Sequence, residues 1–170
     1  MCTGDDSETV RDLLITTQAG ETVSVGTLKG KVVVIAFISH ASCHTGHALE
    51  LIDGIMLENG SSHVSAIGCI VDLARGETIK GDFTLFQAIV GAAPRRQVAE
   101  FLNLSMSGFY LPQFLVLDST GRQRLLCTTR GGDYWEAVHN FRESIQYILD
   151  EQLGCVHVNK RDTHLKEMRS

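Results

Sequence analysis

The chain has few of the residues that mark several common protein classes. Of its 170 residues, two are prolines and 6% are aromatic. None of its five cysteines forms a Cys-x-x-Cys pair. The missing pairs argue against a zinc ribbon, and the odd number of cysteines argues against a disulfide framework. No apolar run reaches the roughly 18 residues of a membrane-spanning helix. With no recognisable signal peptide, the sequence predicts a soluble protein without a transmembrane segment.

The composition predicts one domain and argues against nonspecific binding to nucleic acid. The formal net charge is −5, and a net-acidic surface does not attract phosphates or anionic membranes. The 44% of apolar residues can build one core but hardly two. We expect a flexible N-terminal segment over residues 1–9, a domain over 10–154 and a mobile tail over 155–170. The sequence indicates no cofactor and does not fix the oligomeric state.

Hydrophobic patterning predicts alternating strands and helices. Alternation in 13–16 and 22–25 predicts a hairpin. The unbroken run 32–38 predicts a strand buried on both faces, as in a parallel sheet. A helix over about 43–57, ended by glycine, and a strand over 64–71 complete a βαβ unit.

The second half of the chain is less regular. We expect an irregular segment over 72–93, a helix over about 95–104 and a hairpin over 113–117 and 124–129. Pro112 should take the first position of its strand because proline cannot donate a ladder hydrogen bond. An amphipathic helix should begin after Asp133, with Glu136 completing a capping box, and end at Gly154. These elements predict a mixed sheet with helices on both faces.

Side chains capable of thiol or metal chemistry concentrate between the run 32–38 and the helix that follows. One cysteine and three histidines lie within eight residues, His40-Ala41-Ser42-Cys43-His44-Thr45-Gly46-His47. A thiol at a helix N-terminus favours its thiolate form, which is the nucleophile in disulfide exchange. This turn is therefore the candidate site.

The element order, together with two short segments, resembles the thioredoxin-like superfamily, in its TlpA and redoxin branch. The segments are Leu28-Lys29-Gly30-Lys31-Val32-Val33-Val34 before the turn and Leu111-Pro112 before the hairpin. The resemblance covers about Val10 to Leu153. It implies an α/β fold, namely a thioredoxin-like three-layer α/β/α sandwich with a mixed central sheet and an N-terminal β-hairpin extension. It also implies an oxidoreductase that acts in cell redox homeostasis.

The turn departs from the family's Cys-x-x-Cys motif. In the family the first cysteine follows a strand aromatic by five residues and precedes a leucine by seven. Counting from Phe37 to Leu49 puts Ser42 in the attacking position and Thr45 in the resolving position. With one residue inserted, Cys43 becomes the attacking residue and Gly46 the resolving one. Both alignments stay open, and neither restores two thiols.

The catalytic candidates are Cys43, Ser42, Thr45 and His47. Cys43 could attack a protein disulfide, a small disulfide or a peroxide, and an external thiol such as glutathione would reset it. His47, one turn further, would favour the thiolate. Structural roles compete with these, because Ser42 is a good N-cap and Thr45 faces the sheet, where its hydroxyl can bond to the helix backbone. Cys43 itself could be an ordinary exposed thiol.

Two other functions remain open. In the family Pro112 is cis, and the backbone of the residue before it, here Leu111, pairs with a bound extended chain. The resemblance therefore also permits a catalytically inactive thioredoxin-fold binding module that uses the groove beside Pro112. Alternatively, His40, Cys43 and His47 could bind copper or zinc, since a cysteine and a histidine one helical turn apart offer two ligands.

Of the other cysteines, two are expected to be buried and one bears on the cellular compartment of the protein. Cys69 and Cys127 lie in apolar runs, where buried thiols are expected. Cys2 directly follows Met1, and family members are often exported and anchored outside the cytoplasm. If the chain is a mature form, the protein would be extracytoplasmic, and Cys2 could be its lipid attachment point after signal removal. Otherwise the protein would be cytoplasmic.

Overall fold

The computed structural model describes residues 2–3, 12–128 and 134–154, with only the backbone described at residues 2–3. The strands are β1 Cys2–Thr3, β2 Leu14–Thr17, β3 Thr22–Ser24, β4 Val32–Ile38, β5 Val64–Ile70, β6 Ile89–Ala92, β7 Gln113–Leu117 and β8 Gln123–Thr128. The helices are α1 Thr45–Asn59, α2 Arg95–Phe101 and α3 Tyr134–Gln152. Two short 3-10 turns lie at Val25–Leu28 and Met106–Gly108.

All eight strands form one mixed sheet in the order β1-β8-β7-β4-β5-β6-β2-β3. The central strand β4 is parallel to β5 and antiparallel to β7. All seven of its residues are buried, as expected for an unbroken Val/Ile strand covered on both faces. Its C-terminal end, where the candidate turn begins, therefore lies in the middle of the sheet.

Helices cover both faces of the sheet, which gives three layers. Alternate β4 residues Val34 and Ala36 pack with residues of α1 and α3 in one core. Val33 and Ile35 point to the other face, where they pack with α2 residues such as Val98. The predicted three-layer α/β sandwich with a mixed sheet is confirmed.

The predicted elements of the first half form close to their expected bounds. β2 and β3 make the N-terminal hairpin, with Ile15 opposite Val23. α1 ends at Asn59, and Gly60 follows with φ of 89°, a conformation that glycine adopts without strain. The helix begins at Thr45, two residues later than the sequence predicts.

Strand β6 is absent from the sequence prediction, which has an irregular segment over 72–93. β6 is parallel to β5 and antiparallel to β2, so it joins the hairpin to the central sheet. Its four residues, Ile-Val-Gly-Ala, do not alternate, and only Gly91 among them is buried. A short strand without period-2 patterning is defined by its neighbours and not by its own sequence.

The N-terminus and Cys127 also differ from expectation. Cys2 and Thr3 pair with β8, although the sequence assigns them to a flexible segment. Cys127 is disulfide-bonded and not the free buried thiol that was predicted. The rest of segment 1–9, the capping residue Asp133 and the tail 155–170 lie outside the described residues.

Among the described helices, none combines the length and apolar character needed to cross a membrane.

Candidate functional site

The turn between β4 and α1 is hydrogen-bonded to the loop that follows β5. Asp72 lies just after β5, and its carboxylate accepts from the Ser39 hydroxyl and from the His40 backbone N–H, the latter at 2.7 Å. Because β4 and β5 are parallel, their C-terminal ends meet at the same edge of the sheet. Asp72 thus fixes the start of the candidate turn.

Ser42 and Thr45 do not take the structural roles that the sequence predicts. The Ser42 hydroxyl accepts from the His44 backbone N–H at 3.2 Å, but the N-cap of α1 is His44. Ser42 therefore closes a local turn two residues before the N-cap. Thr45 is buried as expected, yet its hydroxyl donates to the Ser39 carbonyl and not to the helix backbone. Because β4 ends at Ile38, the Ser39 carbonyl lies outside the strand and within reach of Thr45.

A small cavity separates this turn from the loop before β7. The Leu111–Pro112 peptide bond is cis. The cavity measures about 30 Å³, and its lining residues are Ile38, Ser39, Ser42, His44, Thr45, Leu111 and Pro112. Such a volume holds about one water molecule. Hydroxyl-bearing residues of the turn therefore line the cavity beside Pro112, and Cys43 is not part of the lining.

Cys43 is exposed, in the turn before α1. Within the described part of the chain it makes no hydrogen bond. His47, which the sequence places one helical turn away, instead pairs through Nδ1 with the Tyr134 hydroxyl at 2.8 Å. The structure thus shows an accessible thiol but no imidazole bonded to it.

Two aromatic residues at the start of α3 contact the histidines of the turn. Tyr134 stacks on His44 with ring centroids 4.1 Å apart, and Trp135 meets the edge of His47 at 4.5 Å. Burial raises the pKa of Tyr134 to about 12, against the opposing effect of the Arg142 charge. Sequence reasoning missed this cluster, although adjacent aromatic residues at a helix start are a usable signal in a chain so poor in them.

The three proposed metal ligands point to different partners. His40 Nε2 lies 3.0 Å from the Lys80 carbonyl and 3.1 Å from the Lys80 nitrogen, and its tautomer decides which one it bonds. His47 faces Tyr134, and Cys43 faces solvent. Among the described residues, no group of three His, Cys, Asp or Glu side chains could hold a metal ion. The hypothesis of a site built from His40, Cys43 and His47 is therefore not supported by their placement.

Gln113 is a feature of the site that sequence reasoning did not find. It follows Pro112 directly, lies opposite Phe37 of β4 and is fully buried. Within the described residues neither its amide nitrogen nor its amide oxygen has a hydrogen-bond partner. A polar residue at the start of a strand otherwise made of apolar residues was the available signal.

No known family model matches the sequence, and no curated protein matches it. Solved structures do match. A protein described as the thiol:disulfide interchange protein DsbE from Chlorobium tepidum superposes with a TM-score of 0.66 at 15% identity, over 86% of this chain and 99% of that one. The exposed lipoprotein thioredoxin Etrx1 of Streptococcus pneumoniae gives 0.58 at 18% identity, over 83% and 99%.

A third match is the copper-bound ScoI of Bradyrhizobium japonicum, with a TM-score of 0.52 at 19% identity over 81% of this chain and 99% of that one. All three identities are low, so these matches concern the fold. Each superposition spans more than four fifths of this chain, in agreement with the mixed sheet and the helices on both faces. The chain therefore has the thioredoxin-like fold.

Proposed function

We propose that this protein is a thioredoxin-like thiol redox protein that reacts through Cys43. The supporting observation is the exposure of Cys43 in the turn between β4 and α1. The other free cysteine of the described residues, Cys69, is buried, and this burial raises the pKa of its thiol to about 12. Similar structures carry the names of a thiol:disulfide interchange protein and a thioredoxin, which favours the same class of chemistry.

The proposed reaction uses one protein thiol and two external thiols. The Cys43 thiolate attacks a substrate disulfide, so that a bond forms between Cys43 and one substrate sulfur while the other sulfur leaves as a thiolate. A small thiol such as glutathione then attacks the substrate sulfur and releases Cys43. A second small thiol completes the reduction, and the pair supplies both electrons. Thr45 cannot replace the external thiol, because a hydroxyl cannot resolve a mixed disulfide.

A peroxide could enter the same cycle. Attack of the Cys43 thiolate on the O–O bond gives a sulfenic acid and releases an alcohol or water. The first external thiol condenses with the sulfenic acid, which releases water and leaves a mixed disulfide. A second external thiol attacks this mixed disulfide. The attack restores the Cys43 thiol and releases a disulfide formed from the two external thiols. Protein disulfides, small disulfides and peroxides are therefore the substrate classes to compare.

The test is glutathione-coupled reduction of insulin disulfides, with hydrogen peroxide as a parallel substrate. Cys43→Ser should reduce the catalysed rate to the level without protein. Cys69→Ala is the matched control, and it should keep the rate because the Cys69 thiol is inaccessible. Circular dichroism must show both variants folded. A Cys43→Ser protein as active as the unmodified chain would exclude this mechanism.

A second candidate is a binding module that uses the groove beside Pro112. It is favoured by the cavity, whose lining includes the hydroxyl-bearing residues Ser42 and Thr45 but not the thiol of Cys43. In this case Leu111 and Pro112 would bind an extended polypeptide segment, through backbone pairing and an apolar surface. Tyr110, half exposed beside them, would add contact area.

The single tryptophan provides a direct assay for that candidate. Trp135 is 53% exposed and contacts His47, so its fluorescence should respond when a chain binds nearby. Titration with a reduced and alkylated unfolded polypeptide should saturate. Leu111→Asp should weaken the binding, and Cys43→Ser should leave it unchanged. No saturable signal, or equal affinity for Leu111→Asp, would exclude the groove.

A further inference from the structure

We infer that the disulfide partner of Cys127 is Cys2, so that one covalent bond fastens β1 to β8 at the outer edge of the sheet. Cys127 is disulfide-bonded in the structure. Cys2 lies directly opposite it in the antiparallel register, and Thr3 lies opposite Leu126. This inference does not depend on the proposed function.

The backbone register meets the geometric requirement of such a bond. Residues directly opposite each other in an antiparallel pair have Cα atoms about 4.5–5.5 Å apart. Disulfides need Cα separations of about 4.4–6.8 Å. The first range lies inside the second, so Cys2 and Cys127 can be joined without moving either strand. A slip of one residue would place another side chain opposite Cys127.

The other cysteines are weaker candidates for the disulfide partner of Cys127. Cys43 and Cys69 are free. Cys155 lies outside the described residues, and no described strand pairing places it opposite Cys127, whereas the register of β1 and β8 places Cys2 there. The register therefore favours Cys2.

The position of Cys127 indicates a structural bond and not a second redox centre. Cys127 is fully buried in the core between the sheet and helices α1 and α3. Dissolved thiols would reach it only after local opening. The bond would close a loop that contains every described helix and strand except α3. Cross-linking a long loop removes the most conformational freedom from the unfolded chain.

This bond has a consequence for Cys2. A sulfur in a disulfide cannot also carry a lipid through a thioether, so the bond and lipid attachment at Cys2 exclude each other. Structural disulfides persist in oxidising compartments. The inference therefore keeps the extracytoplasmic location as a hypothesis and removes the lipid anchor from it.

Peptide mapping of the full chain tests the pairing. The protein is incubated with oxidised glutathione, alkylated without reduction and digested with trypsin. Cleavage after Arg11, Arg124 and Arg130 puts Cys2 in the peptide 1–11 and Cys127 in the peptide 125–130. Mass spectrometry should find these two joined. Cys127 joined to the peptide 143–160, which contains Cys155, or Cys127 found alkylated, would overturn the inference.

Variants give a second, independent readout. Cys2→Ser should lower the melting temperature by roughly 5–15 °C, as expected for loss of a disulfide across a long loop. Adding a reductant should then have no further effect on its melting temperature. Cys155→Ser is the matched control and should melt like the unmodified chain. A loss of stability in Cys155→Ser but not in Cys2→Ser would contradict the pairing.

Discussion

Gln113 carries a fully buried amide without a partner among the described residues. Leaving such a group unsatisfied costs about 1–3 kcal/mol. Gln113→Met keeps the length of the side chain and removes both polar atoms. We expect the variant to be more stable in urea unfolding, by about 1 kcal/mol or more. A less stable variant would show that the amide is hydrogen-bonded in solution, by an ordered water or by a residue outside the described part.

The Tyr134 hydroxyl links α3 to His47 of the candidate turn at 2.8 Å. Tyr134→Phe retains the ring that stacks on His44 and removes this bond. At pH 7 we expect a loss of about 0.5–1.5 kcal/mol in the free energy of unfolding.

The same substitution should change the response to alkaline pH. Burial raises the pKa of Tyr134 to about 12, whereas an unfolded tyrosine ionises near pH 10. Between these values the unfolded chain releases a proton that the folded one keeps, so the stabilising contribution of Tyr134 falls as the pH rises. Urea unfolding at pH 7 and pH 11 should show a smaller alkaline loss for Tyr134→Phe. Equal losses would contradict the assignment.

At the scale of elements, the pairing of β6 with β2 depends on Gly91. A Cβ atom on Gly91 would lie 2.5 Å from Ile15 Cγ2 and 2.8 Å from the Thr16 backbone oxygen. The backbone atom belongs to the paired strand and cannot move without breaking the ladder. We expect Gly91→Ala to cost about 1–3 kcal/mol, as overpacking does.

Gly54 is the matched control for this prediction. It lies within α1, and a Cβ there would meet nothing within 4 Å. Gly54→Ala should stabilise the protein by about 0.5–1 kcal/mol, because glycine loses more backbone freedom than alanine in a helix. Thermal unfolding of both variants provides the comparison. Similar effects of the two substitutions would argue against the close approach at β6.

At the scale of the whole molecule, the irregular segment between β5 and β6 is tied to three separate elements. Gln18, in the turn of the N-terminal hairpin, donates to the carbonyls of Ile79 and Gly81 at 2.9 and 3.1 Å. His40 of the candidate turn contacts the backbone of Lys80. These contacts connect the segment to the hairpin and to the turn, and Asp53 of α1 adds the third connection.

Asp53 makes the buried part of this connection. Its carboxylate accepts from the backbone N–H groups of Gln87 and Ala88, at 2.9 and 2.8 Å. Asp53→Ala should leave both donors unpaired, lower the free energy of unfolding by about 1–3 kcal/mol and speed amide exchange in the segment. Hydrogen exchange read by mass spectrometry measures this, with Asp53→Asn as the milder control. Unchanged exchange in Asp53→Ala would contradict the anchoring role.

The elements with strong local signals could be predicted from the sequence. The run Val32–Ile38 forms the central strand with the bounds expected, and Gly60 follows the first helix as expected. The roles of Ser42 and Thr45 could not be predicted from the sequence, because they depend on the carbonyl of Ser39 and on where the helix starts. Both features depend on how the folded chain places residues relative to one another, and local sequence patterns do not contain that information.

The sequence by itself determined the layered α/β architecture, since hydrophobic periodicity decides which residues must leave water. It also located the thiol and the proline-led loop that make the candidate site. Only the tertiary structure decided that hydroxyl-bearing residues and not the thiol face Pro112, that His47 turns to Tyr134, and that Cys127 is disulfide-bonded. Side-chain direction and pairing across the sheet arise from packing between distant segments, which residue order alone does not specify.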